Sequence, residues 1–169
     1  MLGHYAHREL IYLFVRRFDR DNDGRILYSD FSDAFSPKSI NHAMQLSLRK
    51  AFYLHNNCDR LDYFTPETRD LYMKTFKLYF QVEESVELLR KRLAKRPHFS
   101  VHDAFAAVDQ DRNGFITKPE FKAILNEYGF YCTDIELSML IDRYDRNHDS
   151  KVSYAEFVEE VKPRSNGLV

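Results

Sequence analysis

Between positions 109 and 120 the chain reads DQDRNGFITKPE, and its oxygen-bearing residues fall at a spacing that suits one kind of chemistry. Asp109, Asp111 and Asn113 offer side-chain oxygens at alternate positions, Gly114 permits a sharp turn, Phe115 offers a backbone carbonyl, and Glu120 closes the twelve-residue loop. A hard divalent cation needs six to eight oxygens at roughly 2.3–2.6 Å. A short loop converges them by alternating its ligands and ending on a long side chain that can bind through both oxygens. The residue set therefore points to calcium. A second copy, DRNHDSKVSYAE, starts at Asp145 and repeats the pattern with Asn147, Asp149, the Lys151 carbonyl, Ser153 and Glu156.

Acidic turns of this composition also occur without helices, so the flanking residues decide how the oxygens are positioned. Val101, Ala104, Phe105 and Val108 precede the first of these loops, and Phe121, Ile124, Leu125 and Tyr128 follow it, both at helical spacing. Leu137, Leu140, Ile141 and Tyr144 precede the other loop, and Phe157, Val158 and Val161 follow it. Ser100 and Thr133 are placed to cap the entering helices, and Gly129 to stop the helix after Tyr128. This double helix–loop–helix resembles a paired EF-hand lobe of the calmodulin, centrin and troponin C superfamily. The resemblance implies that Ile116 and Val152, at the eighth loop positions, join the loops through a short antiparallel ribbon. It also implies an all-α fold of two lobes of paired hands joined by a helical linker. Ser150 stands where the pattern has glycine, which asks a residue with a Cβ to adopt positive φ at a cost of about 1–2 kcal/mol. His148 is expected to point to solvent. His98 and His102 are four apart but have no other converging ligands, so zinc is not expected.

The N-terminal half carries a weaker version of the same plan. Leu10, Ile11, Phe14, Val15 and Phe18 predict a helix running into DRDNDGRILYSD, where Asp19, Asp21, Asp23, the Arg25 carbonyl and Asp30 form the ligand set. Leu27 offers no oxygen, and Asp30 is one methylene shorter than glutamate, so six-coordinate magnesium is an alternative occupant to calcium. Ser36-Pro37 reads as the start of a further helix through Leu48. A degenerate hand is placed at about 57–68, NCDRLDYFTPET, with Phe64 at the ribbon position. Leu61, Asp62 and Thr68 lack the chemistry to hold an ion. Thr65 caps a helix carrying Leu71, Tyr72, Phe76, Tyr79 and Phe80, an aromatic stripe expected in the N-terminal core. Residues 82–97 then form a basic amphipathic linker, with Val82, Val86, Leu89 and Leu93 on one side and Arg90, Lys91, Arg92, Lys95 and Arg96 largely on the other. That helix is expected either to be a solvated connector, with Glu87 supporting Lys91, or to dock on the acidic C-terminal lobe or an acidic partner. The expected domains are 1–81, the linker 82–97, and 98–169.

Length and charge bound the function. The 169 residues suffice for two small lobes, and a net charge of −1 gives no bulk attraction for nucleic acid. Residues 1–96 hold 17 Lys and Arg against 13 Asp and Glu, and residues 97–169 hold 8 against 13, so the acidity lies with the better cages. Cys58 and Cys132 have no ligand-like spacing and are expected to be reduced thiols. No signal-peptide pattern or apolar run near 18 residues is found, and Gly3 is misplaced for myristoylation, so an intracellular setting is expected: cytoplasmic, on the cytoskeleton or at a cilium. No nucleophile elbow or phosphate-cradling loop is present, so an enzyme is not expected. With four Met, eleven Tyr and fourteen Phe, the chain is expected to be a structural or regulatory subunit that binds an amphipathic helix or an acidic cytoskeletal or axonemal surface. The alternative is a calmodulin-like sensor that switches its targets.

Overall fold

The computed structural model describes residues 7–49 and 63–165, which fall into two compact units, Met1–Ser85 and Val86–Val169. The first contains α1 (Arg8–Phe18), α2 (Tyr28–Phe35), α3 (Ile40–Ser47) and the first part of α4 (Pro66–Ala94). Aromatic rings at helical spacing build its interior. Phe14 on α1 lies 5.6 Å from Phe76 and 5.3 Å from Phe80 on α4, and Phe35 on α2 lies 5.0 Å from Tyr72 and 4.8 Å from Phe76. Tyr79 meets Phe18 edge-on, and its hydroxyl donates to the Ala34 carbonyl. Burial pushes the Tyr79 phenol up, and Arg17 partly opposes this. Each such ring pair adds about 0.5–1.5 kcal/mol beyond its buried area. The aromatic stripe thus faces the core, except for Leu71, which is 65% exposed.

Two local expectations are corrected in this unit. Ser36 closes α2 instead of opening α3: its N–H donates to the Ser32 carbonyl at 2.7 Å, and α3 begins three residues after Pro37. Phe64 forms no strand with loop one among the described residues; its ring packs 5.4 Å from Tyr72 instead. Residues 57–62 of the expected degenerate hand lie outside the described residues.

The second unit holds the end of α4, then α5 (Val101–Val108), β1 (Phe115–Ile116), α6 (Lys118–Glu127), α7 (Asp134–Tyr144), β2 (Val152–Ser153) and α8 (Tyr154–Val161). The strands pair antiparallel, with Phe115 opposite Ser153 and Ile116 opposite Val152. Ile116 and Val152 are fully buried and close a core of Phe105, Val108, Phe121, Leu137, Ile141 and Phe157. The Ser100 hydroxyl accepts from Asp103 N–H and the Thr133 hydroxyl from Glu136 N–H, both at 3.3 Å, which fixes where α5 and α7 start. Tyr128, at the end of α6, is exposed and takes no part in this core.

The end of α4 departs from the expected amphipathic pattern. Its buried side carries charges, Glu87 at 0% and Arg90 at 4% exposure, while Leu89 is 60% exposed. Glu87 lies 3.4 Å from Arg90, and α8 and the segment after it bring further partners to both. No helix among the described residues is long and apolar enough to cross a membrane.

Leu137 touches the centre of the second core, so Leu137→Ala is expected to lower stability by about 2–5 kcal/mol. The measurement is a urea unfolding curve, in which the midpoint falls and the slope is kept.

Candidate metal centre

Each loop begins where a helix ends, and its first aspartate is the capping residue of that helix. Asp19, Asp109 and Asp145 are all buried, at the C-terminal ends of α1, α5 and α7. A carboxylate there gains nothing from the helix dipole, so it must be satisfied by the loop. Asp109 Oδ1 accepts from Asn113 N–H at 3.1 Å and Oδ2 from Gly114 N–H at 3.0 Å. Asp19 is held the same way by Asp23 and Gly24, at 3.1 and 2.9 Å. Asp145 is held by Asp149 and Ser150, at 3.2 and 2.8 Å. Aiming those amides inward requires left-handed backbone. Gly24, Gly114 and Ser150 have φ of 80°, 86° and 65°. The fourth loop positions, Asn22, Arg112 and His148, are left-handed too, at 58°, 57° and 62°. Asparagine tolerates that region, but nothing in the sequence marked Arg112 or His148 for it. His148 is exposed.

The remaining ligand candidates are tied by short loop bonds. Asp111 Oδ1 accepts from Asn113 N–H at 3.0 Å, and Asn113 Oδ1 from Phe115 N–H at 2.9 Å. In the last loop, Asn147 Oδ1 accepts from Asp149 N–H at 3.1 Å and Asp149 Oδ1 from Lys151 N–H at 2.9 Å. In the first loop, Asp21 Oδ1 accepts from Asp23 N–H at 3.4 Å and Asp23 Oδ1 from Arg25 N–H at 2.7 Å.

The closing residues differ between loops. Glu120 reaches back across its loop: Oε1 accepts from Gln110 N–H at 3.0 Å, and Oε2 accepts from the Thr117 N–H and hydroxyl at 2.8 and 2.6 Å. Glu156 does the same with Arg146 N–H at 3.0 Å and with the Ser153 N–H and hydroxyl at 2.9 and 2.7 Å. Burial alone pushes both carboxyls up. The Thr117 and Ser153 donors and the loop amides outweigh it and hold both below the ordinary carboxylate range. The Thr-x-x-Glu and Ser-x-x-Glu patterns that carry these bonds are legible in the sequence as helix-start signals, and each glutamate thus serves its helix as well as its loop. Asp30 reaches only Leu27 N–H, at 2.9 Å, since leucine has no hydroxyl and the shorter side chain stops there.

Oxygen atoms of Asp109, Asp111 and Glu120 all lie within 4.8 Å of one another, as do those of Asp19, Asp21 and Asp23. Asp30 is not drawn into the latter group. Among the described residues no such trio forms in loop 145–156, where Asn147 replaces a carboxylate and its amide donates to Asp149 Oδ2 at 3.1 Å. His98 and His102 join no cluster; His102 Nδ1 lies 3.6 Å from the Asp103 carboxylate at the surface. The donors are all hard oxygens, carboxylate or amide, which fits calcium and does not favour softer metals.

Two helix–loop–helix units paired by a two-residue ribbon, with carboxylate oxygens converging in loop 109–120, have the layout of a calcium-binding hand pair. Residues 99–162 match the EF-hand domain pair family. Over 64 residues, 38% of its length, the chain is 34% identical to Calcium-binding protein 7 of Homo sapiens and 31% identical to Calcium-binding protein 8 of Homo sapiens, covering 30% and 24% of those proteins. It is 30% identical over 86 residues, 50% of its length, to Calcium-binding protein CML19 of Arabidopsis thaliana, covering 52% of it. The chain thus spans about half or less of the length of the curated relatives it matches. The segment 99–162 is thus an EF-hand domain pair similar to those of calcium-binding proteins, and loop 109–120 gathers oxygens that fit calcium.

Ser150 carries the strain of a Cβ at φ 65°. Ser150→Gly is therefore expected to stabilise the calcium-free protein by about 1 kcal/mol, read as an upward shift of the urea midpoint in chelator.

Proposed function

We propose that this chain is a calcium-binding protein of two hand-pair lobes that holds a helical or acidic cytoskeletal protein partner, as a structural or regulatory subunit of a cytoskeletal or axonemal assembly. The observation that carries the calcium reading is the convergence of Asp109, Asp111 and Glu120 oxygens within 4.8 Å. In this reading Asp109, Asp111 and Asn113, the Phe115 carbonyl and Glu120 hold one ion. Asp145, Asn147 and Asp149, the Lys151 carbonyl and Glu156 hold another. Asp19, Asp21 and Asp23, the Arg25 carbonyl and Asp30 form the weakest site, suited to magnesium as well as calcium because Asp30 stays outside the cluster of three. Calcium supplies charge neutralisation there and no bond-making chemistry. Support for a dedicated partner is compositional: four Met in the whole chain give little of the deformable surface of a promiscuous binder. The partner's cytoskeletal identity rests on the near-neutral charge and basic N-terminal half, which suit an acidic surface.

A sensor reading has its own support. Glu120 and Glu156 sit in the first turns of α6 and α8, so a change in what binds them acts on the exiting helices directly.

Calorimetric titration of the stripped protein tests the ion sites. Asp109→Ala is expected to bind one calcium fewer per chain than the wild type while keeping the helical circular dichroism signal. A folded wild-type chain that takes up no calcium at millimolar concentration would overturn the reading. Partners that co-purify equally in calcium and in chelator favour the constitutive subunit, and partners lost in chelator favour the sensor.

A further inference from the structure

The second unit contains a group of buried charges that calcium coordination does not use. At its centre is Glu160, near the end of α8. Its Oε2 accepts from Arg90 Nη2 at 2.8 Å and lies 3.5 Å from Arg143 Nε, and its Oε1 accepts from Arg164 Nη2. Its backbone carbonyl accepts from Arg90 Nε at 2.5 Å. One turn earlier on α4, Glu87 Oε1 accepts from the N–H groups of Arg164 and Ser165, each at 2.8 Å, and Glu87 Oε2 lies 3.4 Å from Arg90 Nη1. Arg90, Glu87 and Glu160 are almost completely removed from solvent.

Charges buried this way are costly to desolvate, and the pairing recovers that cost only while every partner stays in place. The apolar surround is thin. Val86, Leu89 and Leu93 on the α4 side face Tyr144 and Val161 across an open cleft of about 510 Å³, with Glu160 in its wall. Residues 86–94 are therefore seated on the α7–α8 face by matched charges and incomplete apolar packing. A contact with little apolar area and buried, specific ion pairs is one that a better-packed competitor can replace, provided it also satisfies Glu160.

We propose that the face formed by Tyr144, Glu160 and Val161 is a helix-docking surface held in reserve by the chain's own residues 86–94, and that an outside helix displaces them only by bringing an arginine to Glu160. This deepens the helical-partner reading of the proposed function and rests on it for the existence of an outside helix. The seated segment itself is independent of that reading. Glu160 is then the residue that selects the partner: an amphipathic helix with the right apolar residues and no arginine leaves a buried carboxylate short of one guanidinium and is rejected.

The test uses the full chain and a fluorescently labelled peptide of residues 86–97, followed by anisotropy. Wild-type chain, whose face is filled, is expected to bind the peptide at least tenfold more weakly than the Arg90→Gln chain, and a peptide with the Arg90→Gln change is expected to bind neither. Equal affinity of the two chains for the unmodified peptide, or binding that ignores the peptide's arginine, overturns the proposal. Hydrogen exchange on the Glu160→Gln full chain gives a second reading if Arg90→Gln does not fold. Amides 88–94 are expected to exchange at least tenfold faster than in wild type while those of 68–80 are unchanged, and unaltered exchange at 88–94 overturns the proposal. Neither measurement needs calcium, so loss of ion binding would refute the ion sites without touching this surface.

Discussion

The need to satisfy a buried carboxylate at the wrong end of a helix governs each loop. Asp19, Asp109 and Asp145 lie at helix C-termini, where the helix dipole repels them, and they are hidden from water. The chain answers by turning left-handed twice within four residues, so that two amides point back at each carboxylate. That turn sends the next oxygens inward as well. A loop folded to satisfy one aspartate has therefore already assembled most of an oxygen cage, and a divalent cation completes a charge balance that the amides only begin.

The closing glutamates show the same economy. Glu120 and Glu156 are tied to the N–H and hydroxyl of the residue that starts their own helix, and also to amides at the start of the loop. One side chain thus fixes where the helix begins and closes the loop's circumference. Asp30 cannot do both, because it is shorter and because Leu27 offers an N–H but no hydroxyl. The loops that close on glutamate and the one that closes on aspartate thus differ by one methylene and one hydroxyl.

At the far end of α8 the second unit solves an opposite problem. There, the buried carboxylate of Glu160 is satisfied by guanidinium groups, Arg90 on α4 and Arg143 on α7 from elsewhere in the chain and Arg164 just beyond α8, while Glu87 takes the Arg164 and Ser165 amides. Such a set has value only when complete, which makes it a fixing point for residues 86–94 and a natural place for competition.

By itself the sequence determined what local chemistry determines. The alternating Asp and Asn oxygens, the helical flanks and the β-branched Ile116 and Val152 specified paired hands, because loop ligands, caps and ribbon residues lie within a dozen positions of one another. The strain at Ser150 was readable for the same reason. Which face of α4 is buried was decided by tertiary structure alone. Periodicity placed Leu89 on the apolar side of the helix and Arg90 on the charged side, and the fold buries Arg90 and leaves Leu89 exposed, since the partner that makes a buried arginine tolerable is Glu160, seventy positions away. The short reach of Asp30 and the start of α3 were likewise settled by which donors the folded chain brought near. Hydrophobic patterning predicts burial when water is the only alternative partner, and it fails where folding supplies a counter-charge.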